Sequence, residues 1–121
     1  MKKYFQFVAD LDSVPFTRPA RATYVLTKDR KFREDLAWIA GVEMKVQQQV
    51  LFTTPLKVTV ELCRKVKTTS RRFGDVDNHI KNICDALNNI VWKDDSLITE
   101  MIIKKNYSIN PHIKIRVEVI K

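Results

Sequence analysis

Glycine is nearly missing from this chain, with only Gly41 and Gly74 in 121 residues. That scarcity leaves no glycine-rich loop to cradle a nucleotide's phosphates, and Ser70 lacks the glycine-flanked elbow of a serine nucleophile. Cysteine is equally scarce. Cys63 and Cys84 show neither paired metal-ligand spacing nor a disulfide framework, so both read as reduced, buried thiols. No apolar run approaches the roughly 18 to 20 residues of a membrane span. Met1-Lys2-Lys3 leads into Tyr4, Phe5 and Gln6 rather than an apolar signal core, which predicts a cytoplasmic protein without a membrane partner. His79 and His112 lie far apart, without a spacing that suggests metal ligation. Acidic residues are in deficit, 14 against 22 Lys and Arg, for a net charge of +8.

What is present fits one compact α+β domain spanning residues 1–121, with a mixed β-sheet packed by two main helices. Tyr4 to Val8 alternate as a first strand. Ala9 to Ala22 read as a loop rich in turn formers, made positive by Arg18 and Arg21. Thr23 to Leu26 suit a short strand, with Thr27 near the N-cap of a long helix over about 29–49. That helix would face the core with Phe32, Leu36, Ile39, Ala40, Val46 and Val50. Beyond Pro55, Leu56, Val58, Val60 and Leu62 alternate with polar residues in a half-buried strand. A second helix begins near Val76 to Asn78 and runs to about Val91, with Ile80, Ile83, Cys84, Leu87 and Val91 on one face. Strands over about 97–105 and from Ile113 to Val119 close the sheet. The indoles of Trp38 and Trp92 suit packing better than base stacking.

Two stretches carry chemistry. The first is the basic loop from Arg64 to Phe73, where Lys65, Lys67, Arg71 and Arg72 are interleaved with hydroxyls that suit phosphate oxygens. Phe73 would stack on or wedge against a base, or else tuck back into the core. The second follows directly: Gly74-Asp75-Val76-Asp77-Asn78-His79-Ile80-Lys81, then Asp85-Ala86-Leu87 and Asp94-Asp95. Asp75 and Asp77 sit at a helix entrance, and the chain is expected to bring Asp94 or Asp95 back beside them. Converging carboxylates repel unless a cation relieves them, and oxygen ligands suit a hard ion such as Mg²⁺. Metal-assisted phosphodiester hydrolysis would follow, with Lys81 one turn beyond Asp77 at the phosphate. The competing reading makes the same aspartates helix caps and turn residues, and Lys81 an i, i+4 ion-pair partner. The protein would then be a basic nucleic-acid-binding module without catalysis, or, with an acidic partner, a protein-binding or inhibitor-type domain.

The acidic stretch resembles the RusA family of Holliday junction resolvases. It shares Asp75-x-Asp77-Asn78, a lysine four residues after the second aspartate, Asp85-Ala86-Leu87 and the later Asp94-Asp95 pair. The resemblance implies a homodimeric, Mg²⁺-dependent endonuclease, with Mn²⁺ substituting, that resolves four-way junction DNA by paired nicks. By position, Asp75, Asp77 and Asp95 match the family's catalytic carboxylates and Lys81 its essential lysine. Many members carry a glycine shortly before the aspartate pair. Asn88-Asn89-Ile90-Val91 fills that turn here, one residue shorter, so Asp94 stays an alternative to Asp95.

Overall fold

A computed structural model describes residues 4–16 and 23–120. Its centre is the strand Leu56–Arg64 (β2), whose alternation buries Leu56, Val58, Val60 and Leu62 and turns Lys57, Thr59 and Glu61 the other way. Tyr4–Ala9 (β1), Ile98–Tyr107 (β3) and His112–Val119 (β4) complete a sheet of order β1-β4-β2-β3. β4 is antiparallel to both β1 and β2, whereas β3 runs parallel to β2. A parallel pair needs a crossover, and the helix Val76–Leu87 (α2) supplies it. The second helix is Thr23–Val46 (α1).

The register explains where the core lies. Val58 pairs with both Val117 and Met101, and Val117 pairs with Phe5, so these side chains share one face of the sheet. Phe32, Leu36, Ala40 and Met44 of α1 and Ile83 and Leu87 of α2 are buried in the same cluster. Both helices therefore cover one face, and the expected α+β architecture with a mixed sheet and two helices is observed. Cys63 and Cys84 are free and buried. Among the described residues no helix is long and apolar enough to cross a membrane.

Several boundaries differ from expectation. Thr23 to Leu26 belong to α1 rather than to a strand. The buried stripe of α1 advances by four from Phe32 to Met44, which turns Val46 out to 71% exposure. Val50 lies past the helix end, beyond Gln48 at φ 54°, and is 78% exposed. Trp92 is fully buried as expected, but Trp38 is 72% exposed and packs into no core. α2 stops at Leu87, not Val91, because Asn88 caps it and Asn89 takes a left-handed φ of 67°. Arg18 and Arg21 lie outside the described residues.

Candidate functional site

The start of α2 is held by the segment that follows β1. The backbone N–H of Phe16 donates to the Asn78 carbonyl at 2.9 Å. The side chain of Asn82, fully buried, donates to the Val14 carbonyl and to Asp29, and accepts from Arg33 of α1. His79 is also fully buried, between the Ser13 hydroxyl at 2.7 Å on Nδ1 and the Phe73 carbonyl at 2.6 Å on Nε2. A carbonyl only accepts, so Nε2 carries the proton and Nδ1 accepts from Ser13. Burial pushes the His79 imidazole below its ordinary value of 6.5, with Arg64 and Lys105 adding to the shift and its bond to Phe73 opposing it. The neutral ring thus ties the loop before Gly74 to the helix. His79 had no recognisable partner in sequence because Ser13 lies 66 residues away.

This frame presents Asp75 and Asp77 to solvent. Asp75 is the N-cap residue of α2 but makes no side-chain capping bond. No cation among the described residues lies within ion-pair distance of Asp75, Asp77, Asp85 or Asp95. Lys81 extends over the ring of Phe16, its Nζ 4.8 Å from the centroid, a contact that restrains a long and otherwise free side chain.

From Asp77 an open groove of about 550 Å³ runs between α2 and the edge strand β3. Lys81, Asp85 and Asp95 line it, over an apolar floor that includes Ile80 and Met101. Asp95 lies at its far end, where it accepts a bond from the side chain of Asn88 at 3.2 Å. Asp77 and Asn88 are separated by most of α2, about 16 Å of helix rise. The expected return of the second aspartate pair beside the first therefore does not occur within one chain. Among the described residues, no three Asp, Glu, His or Cys side chains form a group that could hold a metal ion. The cause is simple geometry. The connection after α2 hands the chain to the start of β3, and in a parallel crossover that is the opposite end of the helix from its entrance.

Asp94 and Asp95 have different surroundings. Asp94 caps the 3₁₀ turn Asp95–Leu97, accepting from the Ser96 N–H at 2.9 Å, and its bonds to Ser96 lower its pKa. Asp95 is half-buried and faces the groove. Beneath it the Cys84 thiol is pushed up to about 12 by burial, with the Asp95 and Asp85 carboxylates adding to the shift, so it stays protonated and inert.

The basic loop lies at the Asp75 end. Lys65, Lys67, Arg71 and Arg72 are exposed along a run of turns in which Ser70 N–H bonds the Lys67 carbonyl and Phe73 N–H the Ser70 carbonyl. Phe73 itself corrects one expectation. It is fully buried, with its ring between Arg64 at 5.4 Å and Lys105 at 5.0 Å and edge-on to His79, so no face is open to a base. Arg64 belongs to β2 and is engaged by Asp12 and the Phe73 carbonyl. Lys105 was missed in sequence. It joins the loop because the parallel register sets it beside Leu62, from where its ammonium reaches the Thr68 carbonyl.

The family model described as Endodeoxyribonuclease RusA matches residues 15–118. The chain is also 37% identical over 107 residues to "Uncharacterized protein YqaN" of Bacillus subtilis (strain 168), a match covering 74% of this chain and 73% of that protein. With its aspartate-bearing helix entrance, exposed cationic loop and a match over most of its length, the chain belongs to the RusA endodeoxyribonuclease family.

Proposed function

We propose that the protein is a Mg²⁺-dependent, structure-selective endodeoxyribonuclease that acts as a homodimer and nicks opposing strands of four-way junction DNA. The observation that carries this reading is at the N-terminal end of α2. There Asp75 and Asp77, free of ion pairs among the described residues, stand beside Lys81 and directly after the loop bearing Arg71 and Arg72. In a chain of net charge +8, uncompensated carboxylates beside a phosphate-binding loop would repel DNA unless they serve a cation.

The donor set suits Mg²⁺, which usually keeps several waters and takes one or two carboxylates together with substrate phosphate oxygens. Asp75 and Asp77 would hold it at one end of α2, and Asp95 would complete the set. When bound, such an ion activates water and neutralises charge building on the attacked phosphate. Lys81, restrained by Phe16, would donate to a phosphate oxygen or to the leaving oxygen. Lys65, Lys67, Arg71 and Arg72 would grip the flanking backbone.

Dimerisation resolves the distance between the two carboxylate groups. A two-fold axis across the groove would lay one α2 antiparallel to its mate, setting Asp95 of each copy against Asp75 and Asp77 of the other. The apolar floor of the groove is the surface such a mate would cover. A four-way junction has approximate two-fold symmetry as well, so the two sites would face opposing strands.

The competing reading, a basic module that binds nucleic acid without cutting it, draws on the incomplete carboxylate set of the single chain. Cleavage of a synthetic four-way junction beside linear duplex, with and without Mg²⁺, separates the two. We expect junction-selective, metal-dependent nicking. Asp75→Asn with Asp77→Asn should abolish it while binding persists or tightens, and an active double variant would sink the nuclease assignment. Asp95→Asn should also inactivate. If Asp94→Asn does so instead, the two aspartates exchange roles.

A further inference from the structure

Asp95 is not simply exposed on the groove wall, because a short chain of hydrogen bonds runs from it into the core. We propose that Asn88 is a positioning residue that fixes one oxygen of Asp95 and leaves the other for a divalent cation. The inference rests on the assignment of Asp95 to the metal-holding set.

The chain of bonds begins at Trp92. Its indole is fully buried, and Nε1 donates to Asn88 Oδ1 at 2.7 Å. An indole N–H has no acceptor role, so this bond decides which way the Asn88 amide points. Oδ1 must face Trp92, and Nδ2 is thereby turned to Asp95 Oδ2, at 3.2 Å. The flank of Trp92 is anchored in turn. The Phe52 N–H donates to the Val91 carbonyl and the Lys93 N–H to the Phe52 carbonyl, at 2.9 and 3.0 Å. Asn88 itself is fixed as the C-cap of α2, its N–H bonded to the Cys84 carbonyl.

Every link therefore has one permitted polarity, and the last is a donor aimed at a carboxylate. Such a donor orders the carboxylate before any ion arrives, so less conformational freedom is lost on binding. Groups that orient a ligand in this way typically change metal affinity by about 10- to 100-fold. Leucine or alanine at this position would fill or vacate the space but could not aim Asp95.

The test is equilibrium binding of Mn²⁺ by calorimetry on the intact protein without DNA, comparing native protein, Asn88→Ala, Asn88→Leu and Asp95→Asn. Asn88→Leu keeps the branched shape of the side chain and adds no charge beside Asp95, but offers neither the acceptor for Trp92 nor the donor to Asp95. The Trp92 indole N–H resonance reports the loss of its acceptor, and its dispersion shows that the fold around it persists. We expect both Asn88 variants to weaken Mn²⁺ binding by about 10-fold or more. The metal concentration for half-maximal junction nicking should rise in step, while the rate at saturating metal falls much less. If Asp95→Asn loses Mn²⁺ binding but both Asn88 variants bind as native, Asn88 does not position Asp95 and the inference is overturned. If Asp95→Asn itself binds Mn²⁺ as native, Asp95 is not a ligand, and its assignment falls together with this inference.

Discussion

Gly74 shows how a single residue sets the aim of the site. Its φ is +92°, and a Cβ there would lie 2.8 Å from His79 Nε2 and 2.9 Å from Pro15 Cγ. Neither neighbour can easily give way. His79 is pinned on both ring nitrogens, and Pro15 lies in the segment tied to Asn78 and Asn82. Glycine is required here on two counts, backbone conformation and space. Gly74→Ala should therefore destabilise the protein by about 1 to 3 kcal/mol, the usual range for a residue held in a sparsely populated conformation. Urea unfolding measures this loss, and a midpoint equal to that of native protein would show that the segment around Pro15 relaxes freely. The same substitution should lower junction nicking even where the protein stays folded, because the displaced Phe73 carbonyl carries Asp75 with it.

At the scale of elements, α2 organises the molecule: its apolar face enters the core, its entrance carries Asp75 and Asp77, and its end holds Asn88. That apolar face was legible in the sequence, since Ile80, Ile83, Cys84 and Leu87 recur at helical spacing, as were the alternations in β2 and β4. What spacing does not carry is long-range partnership. The bonds of His79 to Ser13 and of Asn82 to Val14 and Asp29, and the burial of Phe73 under Lys105, depend on which strand lies beside which. The expected convergence of the aspartates failed for a related reason, since a crossover helix separates its two flanks by its own length. Periodicity also ran past the end of α2 to Val91, although Asn89 breaks the helix. Its φ of 67° explains why asparagine serves there, being a residue that tolerates the left-handed region. Asn89→Gly should then leave the unfolding midpoint unchanged or raise it, whereas Asn89→Ala should cost about 1 kcal/mol. Equal midpoints for glycine and alanine would mean that the turn adopts another conformation in solution.

At the scale of the whole molecule, the proposed site divides between the two ends of one groove, with Asp77 at one and Asp95 at the other, and that proposal makes a sharp demand on assembly. Take Asp77→Asn in one subunit and Asp95→Asn in the other. If each site were built within a single chain, every subunit of the mixed dimer would lack one carboxylate, and the mixture would be as inactive as either variant alone. If each site is shared across the two-fold axis, the mixed dimer has one site missing both residues and one site with both intact. Mixing the two inactive variants, with time for subunits to exchange, should therefore restore nicking. The product should be single nicks rather than paired ones, since only one strand of the junction faces a complete site. With random pairing about half of the dimers are mixed, so the regained rate should approach a quarter of the native number of sites. A mixture that stays inactive although exchange is demonstrated by mass would confine each site to one chain and require α2 and its flanks to rearrange on binding DNA.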